Sequence, residues 1–194
     1  DAHMFSFKKK YFLIIESIKD IDLSNIKIAN KFNIIYRNRN KIVNFHKLLK
    51  FRLLCKSKRI GFYAANDIKL ALDLKTDGFY ISAHNKSLRH SQLKKLNYEI
   101  IGSAHNLKEL NIKILQGCSN IILSRLFKTS YPLKQSFMGV IKYNLLNVSI
   151  DRNLIPLGGI RMKNLNKLKM VECNSIALMS EVKKKPAIIF SRLF

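Results

Sequence analysis

The feature that most constrains the fold of this chain is an alternation of short apolar, β-branched runs with longer stretches of helical period. We predict eight strands, at 11–16, 33–37, 61–66, 78–83, 99–103, 120–126, 154–158 and 175–180. We predict seven helices between them, at 23–31, 41–58, 68–75, 88–96, 107–116, 137–146 and 163–171. Crossovers of this length join parallel strands, and strands this apolar need cover on both faces or closure into a ring. The sequence therefore predicts an α/β fold, a (β/α)8 TIM barrel.

The end of the chain predicts that this barrel has a truncated or missing last helix. Only eight residues follow Pro186, too few for a full crossover helix, and we expect them to lie across the gap. An open doubly wound sheet is the alternative, but it usually has about six strands, and no Gly-x-Gly-x-x-Gly follows the first run. We expect residues 4–194 to form a single domain and residues 1–3 to be a cloning remnant.

The helix predicted at 107–116 illustrates how the helices should pack. Its apolar residues fall on one face, which we expect to lie on the sheet: Leu107, Leu110, Ile114 and Leu115. Three polar residues are expected to point away from the sheet: Lys108, Asn111 and Lys113.

The charge of the chain raises one function class that the rest of the sequence does not favour. Thirty-six Lys and Arg stand against 12 Asp and Glu, giving a formal net charge of +24 that suits a polyanion such as nucleic acid. Most of the cations are Lys, however, and they are spread over nearly every amphipathic segment. No aromatic-interleaved RNA-binding signature or helix-turn-helix pattern accompanies them. Nucleic-acid binding is therefore the less favoured alternative.

Membrane and disulfide classes are also disfavoured by the sequence. Apolar runs reach only five or six residues, whereas a bilayer-spanning helix needs about 20. The cysteines Cys55, Cys118 and Cys173 are odd in number, far apart and without a Cys-x-x-Cys pair, so neither a disulfide framework nor a zinc site is indicated. These features predict a cytoplasmic protein that does not enter a membrane.

Chemistry in a (β/α)8 barrel takes place at the carboxyl ends of the strands, so the polar residues just beyond each run are the candidates. Gly158 and Gly159 follow the seventh run, where such barrels bind phosphate through backbone N–H groups; a plain turn is the alternative. Arg37 and Arg39 have the i, i+2 spacing that suits a bidentate grip on a diphosphate. Asp67 is predicted to be a helix N-cap, a metal ligand or both.

These residues, taken in order, resemble the thiamine-phosphate synthase family, which includes a thiazole tautomerase branch. The resemblance runs from about Tyr11 to Ser180 through five stretches: Tyr36-Arg37-Asn38-Arg39, Asn66 to Leu72 with Asp77-Gly78, Ser103-Ala104-His105-Asn106, Gly117 to Thr129, and Gly158-Gly159-Ile160. The Asn-Asp pair with its apolar helix and Asp-Gly is the most specific stretch. The family adopts a (β/α)8 barrel, in agreement with the alternation described above.

The resemblance implies a transferase that joins hydroxymethylpyrimidine diphosphate to thiazole phosphate, releases pyrophosphate and uses Mg²⁺. By carry-over, Asp67 and the position of Asn85 would hold the metal. Arg37, Arg39, Asn66 and Ser103 would contact the diphosphate or pyrimidine, and Thr129 would close on the substrates. Gly158, Gly159 and Ser180 would bind the thiazole phosphate. The expected partners are phosphorylated small molecules, and a homodimer is compatible with the sequence.

Several residues depart from the family pattern. Ile35 replaces a Gln that would bind the pyrimidine, Arg39 replaces a Lys, and Asn85 replaces the second metal carboxylate. Thr129-Ser130-Tyr131-Pro132 replaces Thr-x-Thr-Lys, with Lys134 as a candidate substitute for the missing Lys. The tautomerase branch would need a histidine after the sixth strand, and none is present there. A degenerate, non-catalytic barrel that binds phosphorylated ligands is therefore the alternative to a working synthase. His84 and His105 are candidate replacements for the lost groups, and the favoured alternative is that each is a loop histidine with a satisfied hydrogen bond.

Overall fold

The computed structural model describes residues 9–38, 44–129 and 136–179. The strands in this part of the chain are β1 (Lys10–Ile15), β2 (Phe32–Tyr36), β3 (Gly61–Ala65), β4 (Gly78–Ile81), β5 (Glu99–Ala104), β6 (Asn120–Ser124), β7 (Asn153–Leu157) and β8 (Ser175–Leu178). The α-helices are α1 (Phe45–Ser57), α2 (Ile68–Asp73), α3 (Leu107–Leu115), α4 (Gly139–Ser149) and α5 (Leu165–Leu168). Short 3₁₀ helices cover Ile18–Asp20, Leu23–Asn25, Leu88–Leu96 and Met162–Asn164.

The chain divides into two compact units. The first unit comprises Asp1–Tyr80 and Leu178–Phe194, and the second unit comprises Ile81–Ala177. Whether they act as the single domain predicted above stays a prediction.

The strands of the first unit form parallel pairs in chain order. β1 pairs with β2 from Tyr11↔Phe32 to Ile15↔Tyr36, and β2 pairs with β3 from Asn33↔Gly61 to Tyr36↔Ala64. β3 then pairs with β4 from Tyr63↔Gly78 to Ala65↔Tyr80. Because the strands are parallel, their carboxyl ends, and the residues after them, lie at one edge.

The second unit repeats this arrangement with three strands. β5 pairs with β6 from Ile101↔Asn120 to Ala104↔Leu123, and β6 pairs with β7 from Asn120↔Asn153 to Ser124↔Leu157. α3 joins β5 to β6 and α4 lies between β6 and β7, so each connection is a βα crossover. This is the order of elements expected for a (β/α)8 chain.

The strands are buried on both of their faces. The neighbouring pairs Ile14 and Ile15 in β1, and Ile34 and Ile35 in β2, are all at most 1% exposed although successive side chains point in opposite directions. Burial on both sides is what parallel strands require, and it explains why these runs read as continuously apolar rather than alternating.

Two of the predicted crossover helices are 3₁₀ helices rather than α-helices in the structure. The helix predicted at 23–31 is reduced to Leu23–Asn25, which Asp22 caps by accepting a hydrogen bond from the Ser24 N–H. Leu23 and Ile26 are both buried, and a spacing of three residues matches the 3₁₀ repeat. Asn30, with φ of 60°, is in the left-handed region, where an α-helix does not continue. The segment Leu88–Leu96 is also 3₁₀.

The predicted packing face of α3 is confirmed for Leu110, which is buried, and for Lys108 and Asn111, which are exposed, but it is wrong for Leu107, Leu115 and Lys113. Lys113 is completely buried, whereas Leu107 and Leu115 are 55% and 72% exposed. The buried face contains Leu110, Lys113 and Gln116, which share a spacing of three residues along the helix. The apolar residues therefore define the buried side of α3 only in part.

Four predicted features lie outside the described residues: the tail after the eighth strand, and the site residues Arg39, Lys134 and Ser180. Of the cysteines, Cys55 and Cys118 are buried, and Cys173 is partly exposed; all three are free thiols. None of the helices in the described ranges has the length and apolar character required to span a bilayer.

Candidate active site

Arg37 lies directly after β2 and is held by the end of β1. Its backbone N–H donates to the Ile15 carbonyl at 2.8 Å. Its guanidinium lies 3.6 Å from the Glu16 carboxylate, and both side chains are partly exposed. Part of the charge of Arg37 is therefore balanced within the protein, and the remaining guanidinium edge is available for an anion.

Asn66 and Asp67 form the turn from β3 into α2. Asn66 has φ of 58°, a left-handed conformation that Asn tolerates better than most residues, and its N–H donates to the Tyr80 carbonyl at 2.9 Å. The Asp67 carboxylate caps α2 by accepting a hydrogen bond from the Leu70 N–H at 2.9 Å through Oδ1. The N-cap prediction is confirmed, and since the residue is exposed, Oδ2 is available for a cation.

Asp77, the acidic residue before β4, has a structural role. Its carboxylate accepts hydrogen bonds from the Phe62 N–H at 2.8 Å and from the Arg52 guanidinium at 2.9 Å. Arg52 is only 4% exposed and also donates to the Lys75 carbonyl. This ion pair ties α1 to the starts of β3 and β4, the ends opposite to those where chemistry is expected.

Ser103 and His105 lie at the end of β5. Ser103 is 8% exposed, and because Gly102 faces α3, the alternation of the strand turns Ser103 to the opposite face. His105 Nδ1 donates to the Glu109 carboxylate at 2.9 Å, and Glu109 also accepts from the His105 backbone N–H. The His84 ring stacks on His105 with centroids 6.1 Å apart. Two imidazoles therefore stand together beyond β4 and β5.

Two opposing effects act on the pKa of the Glu109 carboxyl group: burial on one side, and hydrogen bonds and nearby charge on the other. Burial raises its pKa, but the two hydrogen bonds from His105, with the charges of His105 and His84, outweigh it and leave the pKa of Glu109 below its ordinary value of 4.5. Glu109 is thus ionised at neutral pH and orients the His105 ring.

Asn85 fits a metal ion poorly. Its side-chain oxygen accepts from the Ser87 N–H at 3.1 Å, and its side-chain nitrogen lies 2.9 Å from His90 Nε2. The Lys113 ammonium lies 2.7 Å from its backbone carbonyl oxygen, so a cation is already present beside it. Within 9–38, 44–129 and 136–179, no three His, Cys, Asp or Glu residues form a metal-binding group. Only Asp67, of the two predicted ligands, offers a suitable donor.

Gly158 and Gly159 lie in a strained turn after β7, with φ of 100° and 70°. A Cβ on Gly159 would lie 2.5 Å from the Phe127 carbonyl oxygen, and a Cβ on Gly158 would lie 2.9 Å from Arg125 Cγ. Both the left-handed backbone and the close approach require glycine. Over the described ranges, the N–H groups of Gly159 and Ile160 donate no hydrogen bond, so they are free to face an anion.

Thr129 is brought beside this glycine turn. The segment that precedes it pairs with the turn, because the Leu126 N–H donates to Leu157 O and the Phe127 N–H donates to Gly158 O. The Thr129 hydroxyl oxygen is buried and has no hydrogen-bond partner among the described residues. A buried hydroxyl without a partner is costly, so this atom is suited to bind a ligand.

The structure thus brings together two sets of candidates in the second unit: His84 with His105, and Thr129 with Gly158 and Gly159. In the first unit it places Arg37 beside Glu16 and Asn66 beside Asp67. Sequence reasoning missed Glu16, Glu109 and Lys113. The spacing of four residues between His105, just before the N-cap of α3, and Glu109 in its first turn could have indicated this pair. Nothing in the sequence indicates that Lys113 is buried.

The fold and these residues define a (β/α)8 protein with polar groups at the carboxyl ends of its strands. Residues 31–182 match the family model described as thiamine monophosphate synthase. Because this match covers most of the chain, the chain belongs to that family.

Curated relatives of this chain are thiamine-phosphate synthases. The protein of Prochlorococcus marinus is 25% identical over 130 residues, which are 66% of this chain and 38% of the relative. The protein of Methanococcus vannielii is 24% identical over 132 residues, 67% of this chain and 63% of the relative. The chain therefore spans less than two thirds of the length of these relatives.

Solved structures confirm the predicted fold class. Thiamine phosphate pyrophosphorylase from Pyrococcus furiosus superposes with a TM-score of 0.68 at 16% identity, covering 98% of this chain and 99% of that one. A protein described as KGPDC from Streptococcus mutans gives a TM-score of 0.66 at 12% identity, covering 95% and 94%. At these identities the likeness concerns the fold alone, and the fold is the (β/α)8 TIM barrel.

Proposed function

We propose that this protein is a transferase of the thiamine-phosphate synthase type, which joins hydroxymethylpyrimidine diphosphate to thiazole phosphate and releases pyrophosphate. The observation that carries the proposal is the glycine turn at Gly158 and Gly159, with two N–H groups that donate to no described residue and the Thr129 hydroxyl beside it. Such a turn after the seventh strand suits a phosphate monoester such as the thiazole substrate.

The proposed reaction requires stabilisation of charge more than proton transfer. The bond between the pyrimidine methylene carbon and the diphosphate oxygen breaks, and its electron pair leaves with pyrophosphate. The thiazole nitrogen then forms the new C–N bond with the pyrimidine-stabilised cation. Groups that hold the leaving diphosphate lower the barrier. Arg37 and Arg39 are proposed for this role as bidentate donors, with Asn66 and Ser103 as further contacts, while Lys134 and Ser180 are proposed to contact the phosphorylated substrates.

Mg²⁺ is the proposed cofactor, with Asp67 as its protein ligand, and when bound it would supply neutralising charge to the diphosphate. Asn85 is not proposed as a ligand, because its own oxygen atoms already accept hydrogen bonds. The site would hold the ion with one carboxylate fewer than the family pattern, so metal affinity should be low.

A non-catalytic barrel that binds phosphorylated ligands is the second candidate. Ile35 favours it, because this residue is completely buried in β2 and cannot replace the hydrogen bonds of the family Gln. Belonging to the synthase family gives the nucleic-acid alternative no support. A homodimer and a cytoplasmic location stay predictions.

The two candidates are separated by incubating the full chain with both precursors and Mg²⁺ and measuring the coupled product and pyrophosphate. Asp67→Asn tests the proposed metal ligand cleanly, because Asn also caps helices and so the start of α2 is preserved. We expect this variant to lose roughly 100-fold in kcat/KM. Asp73→Asn, on the same helix and exposed, is the matched control and should keep full activity.

Three outcomes are informative. Product formation that falls only in Asp67→Asn supports the synthase. Binding of thiazole phosphate by calorimetry without product formation supports the non-catalytic candidate. Absence of both would contradict the two candidates together.

A further inference from the structure

We propose that Lys113 and Gln116 of α3 are positioning residues, which hold the loop after β4 (residues 82–87) in the conformation that the diphosphate substrate requires. This inference rests on the proposed function for its role in catalysis. The claim that the two side chains hold the loop is independent of the proposed function, because it is argued from contacts within the second unit.

The contacts converge on one carbonyl group of the loop. The Lys113 ammonium lies 2.7 Å from Asn85 O and 2.8 Å from Gln116 Oε1. Gln116 Nε2 donates to Asn85 O and to Ser87 O, both at 2.9 Å. Two side chains from one helix therefore hold two backbone carbonyls of the loop, and the Asn85 side chain closes the loop on the Ser87 N–H.

The burial of these groups is costly, so their contacts must be made together. Lys113 and Gln116 are both fully buried, and no carboxylate of the described residues lies within ion-pair distance of the ammonium. An uncompensated buried ammonium carries a large desolvation penalty, which hydrogen bonds to oppositely oriented dipoles offset in part. Burial lowers the pKa of Lys113 accordingly. The loop carbonyl is thus the direct hydrogen-bond acceptor of this lysine, while the negative charge of Glu109 acts on it from beyond ion-pair distance.

The strand under α3 leaves space for the lysine side chain. A Cβ on Gly102 in β5 would lie 2.8 Å from Lys113 Cδ and 2.9 Å from Lys113 Cγ. The lysine stem therefore crosses β5 at a position where only glycine fits without displacement. The absence of a side chain at Gly102 thus makes room for the buried stem of Lys113, which a lysine on the exposed face of α3 would not require.

The position of the loop explains why it matters for the proposed reaction. It follows the carboxyl end of β4, where polar groups of a (β/α)8 protein meet the substrate, and it carries His84 and Asn85. Because the Lys113 ammonium binds Asn85 O, the loop backbone is fixed beside a positive charge, which favours an anionic group. The diphosphate carries more negative charge than the thiazole phosphate, so its binding should depend more strongly on this loop.

The test compares two buried cations, Arg52, which binds the residue that precedes β4 in the chain, and Lys113, which binds the loop that follows it. Lys113→Met keeps the unbranched apolar stem of the side chain and removes its donors, and Arg52→Met removes the cation that binds Asp77 before β4. Both should lower stability. Only Lys113→Met should speed hydrogen exchange in the peptide that spans residues 82–90, and it should raise KM for the diphosphate substrate roughly tenfold, with KM for thiazole phosphate changed less than about twofold.

A second variant keeps the inference testable if Lys113→Met does not fold. Gln116→Met leaves the ammonium in place and removes the donors to Asn85 O and Ser87 O, so it should give the same two effects in weaker form. Equal exchange of the 82–90 peptide in the wild type and in these variants would overturn the positioning. Faster exchange with unchanged KM for the diphosphate would overturn its role in substrate binding.

Failure of the proposed function gives a different result. A wild-type chain that does not couple the precursors would contradict the synthase, and exchange alone would then decide the positioning. Faster exchange in Lys113→Met but not in Arg52→Met would support it, and equal exchange in both variants would overturn it.

Discussion

At the scale of single residues, burial separates inert groups from groups that can respond to pH. Burial raises the pKa of the Cys55 and Cys118 thiols to about 12, so both are protonated and unreactive at neutral pH. Glu109 is the opposite case, since hydrogen bonds from His105 keep its carboxylate ionised in spite of partial burial. Its ionisation is therefore coupled to folding.

The coupling predicts a pH-dependent contribution of Glu109 to stability. Its pKa is lower in the folded chain than its ordinary value of 4.5, so the unfolded chain binds more protons between those two values. The contribution is therefore fully present above the unfolded pKa and is lost as the pH falls through the folded pKa. Glu109→Gln should be less stable than the wild type at about pH 7 and no less stable at about pH 3. Urea unfolding at both pH values measures this.

Glu172→Gln is the matched control for this experiment, because Glu172 is exposed and only its backbone, not its carboxylate, makes hydrogen bonds with the described residues. It removes the same charge without breaking the contact with His105. A pH-independent difference between Glu109→Gln and the wild type would show that the ionised carboxylate is not what stabilises the fold.

At the scale of elements, strand ends and the turns after them determine where functional groups lie. The turn after β7 combines two left-handed glycines with a close approach to the segment 125–128. α4 begins with another left-handed glycine, Gly139, but a Cβ there would meet no atom within 4 Å. The two positions share the backbone strain and differ in the close contact.

This pair of glycines gives a controlled prediction. Gly139→Ala should cost about 1 kcal/mol of stability from the left-handed backbone alone. Gly159→Ala should cost at least about 2 kcal/mol, because the new methyl group would overlap the Phe127 carbonyl oxygen. Gly159→Ala should also weaken binding of inorganic phosphate, whereas Gly139→Ala should not. Urea midpoints measure the stability, and calorimetry measures the binding of phosphate. An equal loss of phosphate affinity in the two variants would contradict the assignment of the turn as a phosphate site.

At the scale of the whole molecule, the charge of +24 dominates the electrostatics. Many like charges on one folded chain repel each other, and unfolding relieves the repulsion by increasing their separation. This net charge remains after all 12 acids are counted against the 36 Lys and Arg. Four described acids, Glu16, Asp77, Glu109 and Asp151, are paired with Arg37, Arg52, His105 and Arg152.

Salt should therefore stabilise the fold. Raising NaCl from about 0.1 M to about 1 M shortens the Debye length from about 10 Å to about 3 Å and screens the repulsion. We expect Tm to rise by several degrees, with most of the gain below about 0.5 M because screening saturates. Calorimetric scans at graded NaCl measure this. A linear rise that continues to 1 M would instead indicate a general salting effect on apolar surface, and a fall in Tm would contradict the prediction.

The sequence predicted all eight strands, because a buried parallel strand needs a continuous apolar run and little else produces one in a chain this charged. It also predicted the Asp67 cap, since the signal is local: an acidic residue before the first helical turn. It did not predict the 3₁₀ segments at Leu23–Asn25 and Leu88–Leu96. Their geometry depends on the distance that the segment must span between the strands before and after it. The local apolar spacing is compatible with either helix type.

The sequence by itself determined the order of strands and helices, the glycines after β7 and the residues that mark the family, because each depends on side-chain period or on a short local pattern. Only the tertiary structure decided that Lys113 is buried while Leu107 and Leu115 are exposed. The side of a helix that meets the sheet is set by the space that the strand beneath it leaves, and here Gly102 leaves a passage for a lysine stem. Hydrogen bonds to Asn85 O then make a buried cation tolerable, and those partners are 28 residues apart in the sequence.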